Sequence, residues 1–195
     1  MNNKTHMKST LAFLIQIIVY IIVALPFKVM EVVPGFTDIR PVMLLWPVYA
    51  VFFGPQGCFA LAVGNLIMDI ISDSLRWSCI AGFIANFIGP FLLYLYWARV
   101  SKREFSLKNV KNILTHSALI IIAAFLETLI IAPAVAIVYP EVDIRLFVTT
   151  VMLNTSLFPI VLGIPLTIVM QEDLGFEYYK KRQQANTLSG DPDTE

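Results

Sequence analysis

Long apolar stretches separated by short polar segments make up most of the sequence. An α-helix needs about 20 mainly apolar residues to cross a hydrocarbon core roughly 30 Å thick. The pattern predicts six helices, at residues 9–33, 41–53, 58–71, 78–98, 113–138 and 146–170. The second would be only about 20 Å long at 1.5 Å per residue, so we expect it to be short or partly buried.

Glycines and prolines mark where these helices end or bend. Gly54-Pro55-Gln56-Gly57 predicts a tight turn between the second and third helices, and Pro41 suits the first turn of the second. Residues 1–170 are therefore predicted to form one transmembrane domain. The polar residues 171–195 are predicted to form a cytoplasmic tail with a disordered end.

The composition makes lipid the solvent that this pattern requires. Charged residues make up 14% of the chain and hydrophobic residues 57%, whereas a soluble domain carries roughly 25% charged residues. A core of this size cannot hide such an apolar excess. The sequence therefore predicts an all-α integral membrane bundle of six transmembrane helices. The 14 basic and 14 acidic residues cancel, so the total gives no sign of nucleic-acid binding.

The distribution of basic residues predicts the orientation in the membrane. Six alternating helices put the N-terminus, the 54–57 turn, the 99–111 loop and the tail on the same side. That side carries ten of the 14 basic residues, and the other carries Lys28, Arg40, Arg76 and Arg145. Because the more basic side of a membrane protein faces the cytoplasm, both termini are predicted to be cytoplasmic, in the cell membrane of a bacterium.

Polar side chains inside the predicted helices are functional candidates, because placing them at membrane depth is costly. Asn65, Asp69 and Asp73 recur every four residues, which puts them on one stripe of the third helix. We expect that stripe to face a neighbouring helix or a cavity. The next three helices each carry an amide or a carboxylate, namely Asn86, Glu127 and Asn154.

Arginines and aromatic residues are predicted to surround these groups at the outer ends of the helices. Such a set suits a small polar solute that carries a ring. The residues concerned are Arg40, Arg76, Arg145, Trp46, Trp77 and Tyr139.

Structural explanations for the same residues stay open. Asp69 and Asp73 are equally suited to pair with Arg76 or Arg40 and so to lock loops. Asn86 and Asn154 are equally suited to join helices by hydrogen bonds. Small residues repeat every four positions, and this predicts close packing within the bundle, with a docking face for a partner as the alternative. They are Ala60 and Gly64 on the third helix, and Ala81, Ala85 and Gly89 on the fourth.

The sequence offers little for catalysis. It has no Walker A pattern, so the chain is not expected to hydrolyse ATP itself. The two histidines, His6 and His116, form no HExxH pattern, which argues against a metalloprotease. We therefore expect no enzymatic activity, no cofactor and no metal site.

Four short motifs resemble the substrate-binding S component of energy-coupling factor (ECF) transporters. They are Arg40-Pro41, then Phe53-Gly54-Pro55-Gln56-Gly57, then Gly64-Asn65-Leu66-Ile67-Met68-Asp69, and then Gly82-Phe83-Ile84-Ala85-Asn86-Phe87. The resemblance implies a six-helix protein that binds a vitamin-like or other small solute near the outer face of the lipid bilayer. It also implies two kinds of partner, a transmembrane coupling subunit and cytoplasmic ATPase subunits. By position, it implies binding by Arg40, Asn86, Glu127 and Asn154, with Asp69 and Asp73 as further candidates.

Other classes of function remain as alternatives. A non-catalytic scaffolding membrane protein, similar to the cell-shape protein MreD, would have no pocket and would bind the cell-wall machinery. A transporter that works alone would take up its solute without ATPases. An intramembrane enzyme would lose turnover when Asp69 or Glu127 is replaced.

Overall fold

Five helical segments are long and apolar enough to cross a membrane in the part of the chain that the structure describes. They are Ser9–Phe27, Pro41–Ile71, Ser78–Val100, Val110–Val138 and Ile144–Glu172. The computed structural model describes residues 3–101, 105–179, 181, 183 and 184, with side chains from residue 9 onward. The predicted all-α, multi-pass membrane bundle is confirmed at this level.

The first helix ends earlier than predicted, and a small β-hairpin follows it. Helix α1 covers Asn3–Ala24 and passes into a 3₁₀ turn at Leu25–Phe27. Strands β1 (Glu31–Val33) and β2 (Thr37–Asp38) then pair antiparallel. The prediction of helix up to residue 33 is wrong there. Pro26 within the 3₁₀ turn has no N–H to continue the α-helical ladder, and the β-branched residues after it favour a strand.

Helix α2 (Leu45–Ile71) follows a 3₁₀ turn at Pro41–Leu44 and combines two of the predicted helices. Five membrane-length segments are therefore described, rather than six, because residues 41–53 and 58–71 join through Gly54. The backbone leaves helical geometry at Gly54 (φ 59°, ψ −140°), a conformation that glycine adopts without steric cost.

The chain folds back on itself at Gly54. In a straight helix, Arg40 and Asn65 would lie roughly 37 Å apart. Instead, Arg40 Nη1 lies 3.2 Å from Asn65 Oδ1. A Cβ atom built on Gly57 would lie 2.5 Å from the backbone oxygen of Tyr49, so the two limbs of α2 run close together beside the bend.

The remaining helices complete the bundle, and two of the membrane-length segments contain a π-helical turn. Helix α3 covers Ser78–Leu95 and ends in a π-helical turn at Tyr96–Val100. Helix α4 covers Val110–Val138. The last membrane-length segment consists of α5 (Ile144–Phe158), a π-helical turn at Pro159–Gly163, and α6 (Ile164–Glu172).

Contacts between distant parts of the chain define the two ends of the bundle. Gln56 Nε2 donates to the backbone oxygen of Ser9 (2.9 Å), and the Gly54 bend lies against the Tyr179 ring. We call this the tail end. The β-hairpin lies at the other end, where Lys28 is 3.5 Å from Asp69. We call that the hairpin end.

Glycines let aromatic rings enter the bundle core. A Cβ atom on Gly64 would lie 2.8 Å from Cδ1 of Tyr20, and one on Gly89 would lie 2.8 Å from Cζ3 of Trp46. Both rings are buried. The repeat of small residues therefore serves packing within the bundle at these two positions.

The start of the predicted tail packs against the bundle. The rings of Phe176 and Phe52 lie 5.6 Å apart between centroids, and those of Tyr178 and Phe105 lie 5.5 Å apart. The predicted disordered end, residues 185–195, lies outside the described residues.

Candidate functional site

A pocket opens at the hairpin end of the bundle. It encloses about 800 Å³ of space, open solvent at its mouth included. Residues from the β-hairpin and from α2, α3, α4 and α5 form its wall. Five of the six predicted binding residues line it, namely Arg40, Asp69, Asn86, Glu127 and Asn154.

Asp73 is the predicted residue that does not line this pocket. Helix α2 ends at Ile71, so the stripe that begins at Asn65 and Asp69 cannot continue to Asp73. Asp73 instead has a positive φ of 53° and an exposed side chain in the turn after the helix. Aspartate tolerates this left-handed conformation better than most residues, which explains its place at a helix end.

Four charged side chains form a network at the mouth. Arg40 Nε lies 2.6 Å from Asp38 Oδ1, and Lys28 Nζ lies 3.2 Å from Asp38 Oδ2 and 3.5 Å from Asp69 Oδ1. Asp69 therefore pairs with Lys28 rather than with Arg76 or Arg40, the partners considered from the sequence. Since each carboxylate has a cation beside it, this network is neutral as a whole.

The cations decide the protonation of Asp38, which precedes the membrane-length segment of α2. Burial raises the pKa of this carboxyl, but the charges of Arg40 and Lys28 and the hydrogen bonds from both outweigh it. The pKa of Asp38 therefore lies below its ordinary value of 3.8. Asp38 is an anion at neutral pH and holds the two cations in place.

Asn65 connects this network to the helix core. Its Oδ1 accepts hydrogen bonds from Tyr20 Oη (3.1 Å) and Arg40 Nη1 (3.2 Å). Its Nδ2 donates to Asp69 Oδ2 at 3.2 Å. Because both ends of the Asn65 amide are occupied, we assign this residue to the positioning of Arg40 and Asp69.

Asn154 fixes the backbone that carries Asp38 and Arg40. Its Oδ1 accepts from the backbone N–H of Arg40 (3.0 Å), and its Nδ2 donates to the backbone oxygen of Asp38 (2.7 Å). These bonds join α5 to the segment between β2 and α2. The structure thus gives Asn154 a role in shaping the pocket, and its amide is fully used in that role.

The inner wall carries two hydrogen-bond acceptors that lack a donor among the described residues. Asn86 Nδ2 donates to the backbone oxygen of Gly82 (2.9 Å), but Asn86 Oδ1 has no hydrogen-bond partner among the described residues. Glu127 Oε2 likewise has none there, and both residues are at most 2% exposed. An apolar surface continues the same wall, formed by Ile131, Val135, Phe147 and Val151.

Three side chains beside the mouth, Arg76, Phe36 and Tyr139, form a cluster that we call the latch. Arg76 Nε donates to the backbone oxygen of Gly35 (3.0 Å) in the hairpin turn. The Arg76 guanidinium lies 4.7 Å from the ring centre of Phe36 and 5.9 Å from that of Tyr139. The latch joins the hairpin to the loops that follow α2 and α4. Gly35 and Phe36 also line the pocket, so the latch helps to fix its border.

Replacing Arg76 by alanine is expected to loosen the hairpin. The change removes one hydrogen bond and two cation–π contacts, so exchange of the amide hydrogens in residues 31–38 should accelerate roughly tenfold. Hydrogen exchange followed by mass spectrometry measures this directly. Arg145→Ala is the control, because replacing this exposed arginine removes the same charge at the hairpin end. Equal exchange in both variants would contradict the latch.

The sequence did not predict the roles of Lys28 and Asp38, and it misplaced Trp46. Lys28 was predicted at the outer end of the first helix and Asp38 in the loop after it, because the β-hairpin that brings them together was not foreseen. The sequence feature that could have indicated their role was the spacing of Asp38 and Arg40 just before a helix that begins with a proline. Trp46 was expected near the solute, but it is fully buried against Gly89 and does not line the pocket.

The described residues give no indication of function from a metal site, and the comparisons with known proteins give none either. Within the described residues, no group of three or more His, Cys, Asp and Glu side chains is placed to hold a metal ion. Comparisons with models of protein families, with curated proteins and with solved structures gave no match. The chemistry of the pocket is therefore the basis for the function proposed below.

Proposed function

We propose that this chain is the membrane-embedded substrate-binding subunit of an ECF-type importer. In this role it captures a vitamin-like or other small solute at the outer face of the cell membrane. A transmembrane coupling subunit and cytoplasmic ATPase subunits then complete the delivery of the solute. The chain itself carries out no catalysis.

One observation carries the proposal. Polar residues from the hairpin and four helices gather around one pocket at one end of an otherwise apolar bundle. Buried polar groups in membrane helices are costly, and they are concentrated along the paths and sites of solutes. A purely scaffolding protein, the alternative that resembles MreD, has no need for a pocket lined by such polar residues.

The bend at Gly54 supports the finer topology that this role requires. Because the chain reverses there, the two limbs of α2 are proposed to count as separate passes, giving six in all. Six passes would bring both termini to the tail end of the bundle. The basic residues Arg99, Lys108 and Lys111 lie in or next to the chain segment that joins α3 to α4, which supports a cytoplasmic tail end and an outward-facing pocket.

The proposal is tested with the purified full-length chain. We expect mass spectrometry to find one small solute retained in near-equimolar amount, and affinity purification from native membranes to recover a transmembrane subunit with ATPases. An Asn86→Leu variant should retain much less solute, because an apolar side chain of similar shape replaces an amide on the pocket wall. Ile122→Leu, on an exposed apolar position of α4, is the control and should retain as much as the wild type.

Three results would reject the proposal. If the wild-type chain retains no solute and also purifies without ATPases, the importer function is wrong. Recovery of cell-wall proteins without a solute would favour the scaffolding alternative. Uptake into vesicles by this chain alone would show instead a transporter that needs no ATPase.

A further inference from the structure

The partners of the charged groups differ between the mouth and the inner wall of the pocket. Two basic and four acidic side chains line it, namely Lys28, Arg40, Glu31, Asp38, Asp69 and Glu127. At the mouth, the two cations are used by Asp38 and Asp69. Glu31 Oε2 accepts a hydrogen bond from the backbone N–H of Gly35 at 3.2 Å.

Glu31 and Glu127 are the acidic residues of the pocket without a salt-bridge partner among the described residues, and Glu127 is the buried one of the two. Glu127 lies on α4, and Asn86 lies on the adjacent helix α3. Each presents an oxygen that lacks a donor within the described part of the chain. Leaving a buried acceptor without a donor is unfavourable, so a ligand that supplies N–H groups here gains more than it would in water.

The excess of acidic groups sets the charge of that ligand. Among the described residues that line the pocket, both cations are already paired, so an anionic ligand would meet the carboxyl of Glu127 without a free cation, whereas a cationic ligand pairs with that carboxyl in its ionised form. Charge-assisted hydrogen bonds from nitrogen cations to carboxylates are roughly twice as strong as neutral ones. Asn86 Oδ1 adds a second acceptor for the same group.

We propose that the solute is a small cation with several N–H donors, such as an amidine or a protonated amine on a ring. Its nitrogen group binds Asn86 and Glu127, and its apolar body lies against Ile131, Val135 and Phe147. This inference rests on the proposed function and narrows its substrate class. It also assigns Arg40 and Lys28 to holding the mouth rather than to binding the solute.

Three probes of nearly equal shape test the inference on the full-length protein in detergent. Benzamidine is a cation with N–H donors, benzamide is neutral, and benzoate is an anion without N–H donors. We expect calorimetric titration to show benzamidine binding at least about tenfold more tightly than benzamide, with benzoate the weakest. Equal or tighter binding of benzoate would overturn the proposal, and so would the absence of binding by all three.

Two pocket variants and one control locate the effect. Glu127→Gln should remove the preference for benzamidine over benzamide, while Asn86→Ala should weaken both by several-fold. Glu141→Gln, an exposed acid after α4, should leave all three affinities unchanged. The melting temperature of each variant shows whether it folds. If Glu127→Gln does not fold, the test rests on Asn86→Ala. A preference for benzamidine that survives in a folded Glu127→Gln protein would overturn the assignment.

The identity of the retained solute separates this inference from the proposed function. A retained neutral or anionic solute would overturn the cationic class and leave the importer function standing. A retained amine or amidine would support both.

Discussion

Replacing Asp38 by alanine is expected to lower the free energy of unfolding by about 3–5 kcal/mol, because two largely buried cations lose the carboxylate between them. The side chains of Arg40 and Lys28 are only 19% and 17% exposed, so water cannot replace Asp38 fully. Thermal unfolding of the purified protein in detergent measures the effect, as a fall in melting temperature of about 10 °C.

An exposed ion pair supplies the control for this prediction. Lys108 Nζ lies 2.7 Å from Glu172 Oε2, but these side chains are 71% and 31% exposed. Glu172→Gln should therefore cost at most about 1 kcal/mol. Similar losses in Asp38→Ala and Glu172→Gln would show that the network at the mouth is not stabilising.

The pH dependence of stability checks the same network independently. The pKa of Asp38 is lower in the folded protein than its ordinary value of 3.8. The stabilisation from its ionised form is therefore complete above about pH 4, and it is lost as the pH falls through the folded-state pKa. Asp38→Asn should flatten the decline in melting temperature below pH 4. An unchanged decline would assign the acid sensitivity to other carboxylates.

Replacing Gly89 by alanine is expected to destabilise the bundle by about 1–3 kcal/mol, because the new methyl group would overlap the Trp46 ring. Trp46 is fully buried, so its ring has no room to withdraw. Gly82 lies on the same helix, and a Cβ atom there would meet nothing within 4 Å. Gly82→Ala should therefore raise stability slightly, by up to about 1 kcal/mol, since alanine favours helix.

Comparing the two alanine variants separates packing from helix propensity. Both changes add the same methyl group to α3, and they differ in what that group meets. If both variants have raised melting temperatures, the close approach of Trp46 to α3 is not a constraint on the bundle.

The membrane-length segments could be predicted because apolar runs dominate their sequence. The end of α1 could not, because residues 28–33 are still mostly apolar, with Lys28 and Glu31 as their charged members. Pairing of Glu31–Val33 with Thr37–Asp38 depends on a turn at Pro34 and Gly35, which a hydropathy pattern does not register. The β-hairpin was missed for this reason.

The pocket residues could be predicted in part for a different physical reason. A polar group at membrane depth needs a partner, so Asn86, Glu127 and Asn154 stood out in apolar surroundings. Lys28 and Asp38 lie just outside the membrane-length segments, where charges are common and carry no such signal. Asp73 was predicted by its spacing alone, and that spacing loses its meaning once α2 has ended.

The two hydrogen bonds of Asn154 also bear on how the protein is made. They reach back to Arg40 and Asp38, 114 and 116 residues earlier in the chain. During synthesis, the first segments therefore enter the bilayer long before the residue that anchors them has left the ribosome. The solute cavity is consequently assembled late in biogenesis, and a chain truncated before α5 would lack the anchor that fixes its entrance.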